Sequence, residues 1–301
     1  MCEVGDVFIR NNRVLSNGKQ GIIIETTMIF PFTIAGNLVV GNGSQHWGGG
    51  IVVAGFESYR TTAPVTLYGN TVVGNQGGDW SEYAGGISTW GIHVRMSDCI
   101  CRDNRGLKAN EISIFGPGEP SYNLPGQVDV NNCNVAGGAA AVYSENGILN
   151  WGTGNIDADP LFVDPGHWDD NGTPADTSDD TFVPGDYHLL PGSPCIDAGT
   201  SNVDNPDTPE VETLTATDIA GSPRVIDGNS DGSPVVDIGA YEYLPGDMNY
   251  DGKVNILDLI FIRNNLGRDP AASPAARRAD VNNDSRVDIL DLLAARNGLG
   301  R

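Results

Sequence analysis

Two stretches near the end of the chain place oxygen-bearing side chains at intervals that suit a hard cation. In Asp247–Gly267 they are Asp247, Asn249, Asp251, Asn255 and Asp258. In Asp280–Gly300 they are Asp280, Asn282, Asp284, Asp288 and Asp291. These are positions 1, 3, 5, 9 and 12 of a twelve-residue loop, and position 7 (Lys253, Arg286) adds its backbone carbonyl. Such a loop can surround one Ca²⁺ with about seven oxygens. The two stretches are offset by 33 residues and share 12 of 21 residues, which marks an internal duplication. Gly252 takes the sharp-turn position in the first loop. Ser285 takes it in the second, where a side chain strains the turn.

Helices must follow the loops to position them. Leu259, Ile260, Ile262 and Leu266 recur at three- and four-residue spacings, and Leu292, Leu293 and Leu299 echo them. Asp258 and Asp291 stand at the expected helix starts, where negative charge is favoured. RDPAASPAARR between the copies reads as a linker with a short helix. An ordinary EF-hand has a helix before its loop and Glu at position 12. Here YEYLPG precedes the first loop and both loops end in Asp. This arrangement resembles a type I dockerin, over residues 246–301. The resemblance implies two calcium ions and a cohesin-like protein partner. It also implies partner contacts at loop positions 10 and 11 and on the helix. By match these are Ile256, Leu257, Arg263 and Asn264, and Ile289, Leu290, Arg296 and Asn297. Where that family often has a hydroxyl pair, this chain has Ile-Leu twice, an apolar hot spot of different specificity. The plain alternative places Ile256 and Ile289 in the core.

The net charge of −22 is uneven. Residues 1–156 hold 12 acids and 8 bases, residues 157–245 hold 19 acids and Arg224 alone as base, and residues 246–301 hold 8 of each. The acidic middle repels nucleic acid and anionic lipid and suits divalent cations. No apolar run is long enough to span a membrane. The cysteines Cys2, Cys99, Cys101, Cys133 and Cys195 form no CxxC pair, which argues against zinc. The opening MCEVGDVFIRNNRVLSNG carries no leader and reads as mid-repeat, so a truncated start is expected.

The first half repeats a phrase: NRVLSN from Asn12, NLVVGN from Asn37, NTVVGN from Asn70, DCICRD from Asp98 and NCNVAG from Asn132. A second phrase interleaves, from Gly21, Gly49, Gly85, Asn110 and Ala140. Each repeat thus holds at least two β-type runs between Gly/Asn turns. Parallel strands without crossover helices point to a stacked solenoid. Residues 12, 37, 70, 98 and 132 are expected to form a side-chain ladder, with Val14, Val39, Val72 and Ile100 stacked inside. The pattern resembles the right-handed parallel β-helix of pectin-lyase-like proteins, with a β-sandwich as the structural alternative. Stacking brings Cys99 beside Cys133, either as a disulfide or as a free apolar pair.

The expected fold is therefore mainly β: parallel coils over 1–157, an acidic β tail or cap over 158–244, and a small α dockerin-like module over 245–301. The tail holds two acidic loops, His167–Asp180 and Asp227–Gly232, which read as plain turns or as further calcium loops; in the second, Asp237 falls at position 11. No catalytic motif is matched, and Arg95, Lys108, Lys19, His46 and His93 are the available bases. Trp47, Trp80, Tyr83 and Trp90 sit in long turns at similar places in successive coils, where exposed rings would stack on sugars. The expected function is an extracellular or surface β-helix protein that binds carbohydrate and is anchored through its dockerin. The alternatives are a polysaccharide lyase or glycoside hydrolase with the same anchor, and a structural or adhesive protein.

Overall fold

The computed structural model describes residues 7–26, 31–44, 47–55, 65–78, 83–116, 126–177, 179–202 and 214–300. Through residue 156 the chain visits three parallel sheets in turn. The first sheet runs Val7–Arg10, Phe32–Ala35, Val65–Tyr68, His93–Ser97, Gln127–Asn131 and Ile148–Trp151. The second runs Arg13–Leu15, Leu38–Val40, Thr71–Val73, Ile100–Arg102 and Asn134–Val135. The third runs Ile22–Thr26, Ile51–Gly55, Ile87–Trp90, Ile112–Phe115 and Tyr143–Glu145. The two repeated phrases correspond to the second and third sheets. The first sheet was not legible as a separate phrase. The last second phrase begins later than expected, because Gly138–Ala141 forms a 3₁₀ turn and the strand starts at Tyr143.

Strand alternation sends every second side chain inward. Ile34, Leu67, Met96 and Val130 stack through the first sheet, and Ile51, Ile87 and Ile112 through the third. In the second sheet the stack is Val14, Val39, Val72, Cys101 and Val135. Ile100 is not in it. It sits one residue out of register and faces the other way, toward the tail.

A polar ladder does run beside this stack. Asn12 Nδ2 donates to Asn37 Oδ1 at 3.0 Å, and Asn37 Nδ2 donates to Asn70 Oδ1 at 3.0 Å. The next rungs are Cys99 and Cys133, not Asp98 and Asn132: Asn70 Nδ2 lies 3.6 Å from Cys99 Sγ, and Cys99 N lies 3.4 Å from Cys133 Sγ. Asp98 (φ 52°) and Asn132 (φ 47°) instead take the left-handed turn position held by Gly36 and Gly69 in earlier coils. Cys99 and Cys133 are free, buried thiols. Burial pushes the Cys133 thiol well above its usual range, which keeps it unreactive. A second ladder, unforeseen in the sequence, joins Asn17, Asn42, Asn75 and Asn104, and Asn104 ends it by donating to Glu111.

Each rung satisfies buried backbone as well as its neighbour. Asn70 accepts from Asn37 and donates to the carbonyls of Ile34 and Tyr68. Asn70→Ala strands several of these groups, each worth about 1–3 kcal/mol when left unpaired. A loss of about 3 kcal/mol in denaturant unfolding is expected; a loss below about 0.5 kcal/mol would contradict the ladder's role.

The tail is a cover rather than a continuation of the coils. Phe162, Phe182, Tyr187, Leu189, Ile238, Ala240 and Tyr241 pack on the outward Leu38, Val40, Val73 and Ile100 of the second sheet. Two short antiparallel pairs stiffen it, Phe162–Asp164 with Asp186–Leu189 and His167–Asp169 with Thr181–Val183. The chain ends in helices α1 (Ile256–Asn265), α2 (Pro274–Ala279) and α3 (Ile289–Asn297), around a core of Met248, Ile262, Ala276, Ala279, Val287 and Ala295. No helix among the described residues is long and apolar enough to cross a membrane.

Candidate calcium loops, docking face and aromatic cluster

The two C-terminal loops fold alike because their side chains bind their own backbone. In the first, Asp247 accepts from the amides of Asp251 and Gly252, Asn249 from Asp251, and Asp251 from Lys253. Asp258, fully buried, accepts from Met248, Asn249 and Asn255. In the second, Asp280 accepts from Asp284 and Ser285, Asn282 from Asp284, and Asp284 from Arg286. Asp291 accepts from Asn282 and Asp288. The helices begin two residues earlier than the sequence suggested. Asn255 and Asp288 are the N-caps, and Asp258 and Asp291 close capping boxes from the third helical position.

The donor set fits a hard cation in kind. All donors are carboxylate, amide or carbonyl oxygens, and each loop sets several acids near one another. Burial, then repulsion from Asp258 and Asp251, pushes the Asp247 carboxyl up against the lowering pull of the Gly252 and Asp251 amides. Burial also raises Asp280, with Asp291 and Asp284 as its acidic neighbours. A divalent ion would remove that repulsion. Among the described residues no three His, Cys, Asp or Glu side chains gather around a common point for a metal; here amide and carbonyl oxygens must complete the shell. Gly252 adopts φ 78°, and Ser285 is held at φ 68°, the left-handed strain its side chain implied.

The proposed partner residues lie on the surface. Ile256 is 64% exposed, Leu257 58%, Ile289 61% and Leu290 51%, which rules out the core reading for both Ile positions. Arg263, Asn264, Arg296 and Asn297 are exposed on the same helices. The module also rests on the tail. The His188 ring lies 4.2 Å from Tyr250 in a 9° stack and 4.0 Å from Tyr241, and Arg278 covers Tyr250 at 4.3 Å. A cleft separates α3 residues Ala294 and Asn297 from Gly228, Asn229 and Ser230 of the tail. The two exposed faces therefore have different surroundings.

The acidic tail loops close on themselves. Asp227 accepts from Asp231 and Gly232, Asn229 from Asp231, and Asp197 from Gly228 and Asn229. Asp237 is buried elsewhere, accepting from Asp197 and Tyr243. In the other loop Asp169, Asp170 and Asp179 bond to Asn171, Gly172 and Thr173.

The aromatic turns do converge. Tyr83 lies 5.3 Å from Trp47, 6.1 Å from Trp90 and 4.9 Å from Phe115, and Phe115 lies 5.8 Å from Tyr143. Tyr83 corrects the expectation of an exposed ring: it is the 6% exposed hub of the cluster, while Trp47 and Trp90 are half-buried around it. Trp80 and His46 lie outside the described residues. Phe115 and Tyr143 were missed in the sequence; their place in successive third-sheet strands, one closing and the other opening its strand, was the available signal. His93 pairs with Asp129 at 2.8 Å.

The C-terminal module is therefore a duplicated, capped loop-helix unit with apolar residues displayed at each helix start. Residues 245–299 match the family model of the dockerin type I domain, and that part of the chain is a dockerin type I domain. No curated protein and no solved structure matches the chain.

Proposed function

We propose that this is an extracellular protein docked to a cohesin-like module through its calcium-loaded dockerin. The observation that carries the reading is the twofold display of Ile256-Leu257 and Ile289-Leu290, each more than half exposed on a capped helix start. Apolar pairs held outward at fixed positions suit a buried hot spot. Two calcium ions would be held by Asp247, Asn249, Asp251, Lys253 O, Asn255 and Asp258, and by Asp280, Asn282, Asp284, Arg286 O, Asp288 and Asp291. The coils are proposed to be a right-handed parallel β-helix, as crossovers between parallel strands nearly always take that hand. The β-helix would present its aromatic cluster, with Trp47 and Trp90 outermost, to carbohydrate.

The test is calorimetry of the full chain against a panel of type I cohesin modules in calcium. Binding is expected, and Ile256→Asp with Leu257→Asp should weaken it by about 100-fold. The matching pair Ile289→Asp with Leu290→Asp should cost less, because α3 borders the tail across the cleft. Binding unchanged by both pairs would refute the docking face.

A further inference from the structure

The tail covers the second sheet, so an outside ligand meets the coils on the first and third sheets. Two unlike surfaces flank the corner between these sheets. On the third-sheet side lies the aromatic cluster, whose Trp90 ends its strand. His93 opens the first-sheet strand three residues later, a reach of at most about 10 Å. On that strand and the next two, Arg95, Asp129 and Asn150 stand directly opposite one another, and His93 stands opposite Gln127. Their neighbours Val94, Met96, Val128 and Val130 are buried, so the polar row faces outward.

Asp129 organises the row. It accepts from Gln127 at 2.9 Å and from Asn150 at 2.6 Å, and His93 Nε2 lies 2.8 Å from its other oxygen. Burial alone would raise the Asp129 carboxyl, but the hydrogen bonds of Asn150, Gln127 and His93 outweigh it and hold the group below its usual range. Asp129 and His93 remain partly accessible, at 21% and 28% of their side chains. The row therefore sets a guanidinium, a carboxylate and amide groups side by side, repeating at the strand spacing of about 4.8 Å. A polyanion would call for an excess of donors and a cation for an excess of carboxylates. Sugar hydroxyls need donors and acceptors side by side.

We propose that this corner binds a neutral, hydroxyl-rich glycan chain, with Trp90 against one sugar ring and the His93–Asp129–Asn150 row bonding the hydroxyls of the next. The proposal rests on the reading that the aromatic cluster contacts carbohydrate. It adds the second half of the site and the charge class of the ligand.

The test is calorimetric titration of the calcium-loaded full chain with cellohexaose, xylohexaose, mannohexaose and, as the acidic comparison, hexagalacturonate. At least one neutral hexaose is expected to bind. Trp90→Ala, His93→Ala and Asp129→Asn should each weaken that binding roughly tenfold. Asn150→Ala, at an exposed position with little risk to folding, should weaken it severalfold, with circular dichroism confirming that each variant is folded. Binding lost in Trp90→Ala but intact in the three row variants would overturn the row and leave the aromatic reading standing. Binding of hexagalacturonate alone would overturn the neutral assignment. Binding of no hexaose would overturn both.

Discussion

Chelation of calcium from the full chain is expected to melt α1 and α3 and abolish cohesin docking, while the coils stay folded. The dockerin core is built largely of small residues, three of its six fully buried members being alanine. A module of this size has little hydrophobic stabilisation to spare. Its loops instead carry Asp247, Asp251 and Asp258 in one turn and Asp280, Asp284 and Asp291 in the other, each held by its own set of backbone amides. Free calcium at 1,000 times its Kd would add about 4 kcal/mol per site, comparable with the whole stability of such a module. The expected readout is a loss of helical circular dichroism in EGTA that reverses with calcium, together with a fall of at least about 1,000-fold in cohesin affinity. Unchanged helix content in EGTA would refute the calcium assignment.

The two loops should not empty together. Tyr250 of the first loop is clamped between His188 and Arg278, which ties that loop to the tail. The second loop carries the strained Ser285. Amides of Asn282–Leu293 should therefore exchange before those of Asn249–Ile260 as calcium falls. Ser285→Gly should narrow the gap by about 1 kcal/mol.

The dockerin type I domain was legible as a duplicated loop-helix unit because its pattern is local: one twelve-residue loop holds its own acceptors, cap and turn. The coils were legible as phrases but not in register. A ladder rung and a left-handed turn both accept Asn, and Asp too is tolerated at the turn in place of Gly. Thus Asp98 resembled Asn70 in type while taking the place of Gly69, and Cys99 became the rung. Only the pairing of Thr71 with Ile100 decides between these, and that is a contact between distant residues. The first sheet stayed hidden because its outward positions run from Phe8 to Thr33, Thr66, Arg95, Asp129 and Asn150, so only the Thr33–Thr66 pair repeats a residue. The tail's acidity suggested a segment suited to divalent cations. Several of its carboxylates are instead buried as acceptors for loop amides, which composition cannot reveal.

Arg224→Met is expected to destabilise the coil-and-tail body by about 3–5 kcal/mol at pH 8.5 and by clearly less at pH 5.5. Arg224 is 2% exposed, bonds Gly239 O at 3.0 Å and pairs with the fully buried Glu242 side chain at 3.1 Å. Asp98, Asp218 and Asp237 are buried nearby in sequence or space and accept from Thr200, from Ala220, Ser222 and Glu242, and from Asp197 and Tyr243. Burial pushes Asp98 and Asp237 up to about 7, with Arg224 as a lowering influence on both. Burial and the Asp237 charge push Glu242 well above its usual range, and burial takes Glu111 in the coils to about 8. The sign follows from proton counting. Between about pH 4, where unfolded carboxylates titrate, and about pH 8, the folded chain holds more protons than the unfolded one. Stability must then fall as pH rises through this window, by about 1.4 kcal/mol per pH unit for each extra proton held. Asp129 and Asp186 are lowered instead, so their contribution is lost only in stronger acid, below that window. In saturating calcium, the melting temperature of the body should drop by on the order of 10 °C between pH 5.5 and 8.5. Removing this buried guanidinium should steepen the drop, because at pH 8.5 the acids are asked to ionise without it, whereas at pH 5.5 most still carry their protons. A melting temperature that rises with pH, or an Arg224→Met penalty equal at both pH values, would show that these carboxylates stay ionised in the fold and that their amide partners alone sustain the charge.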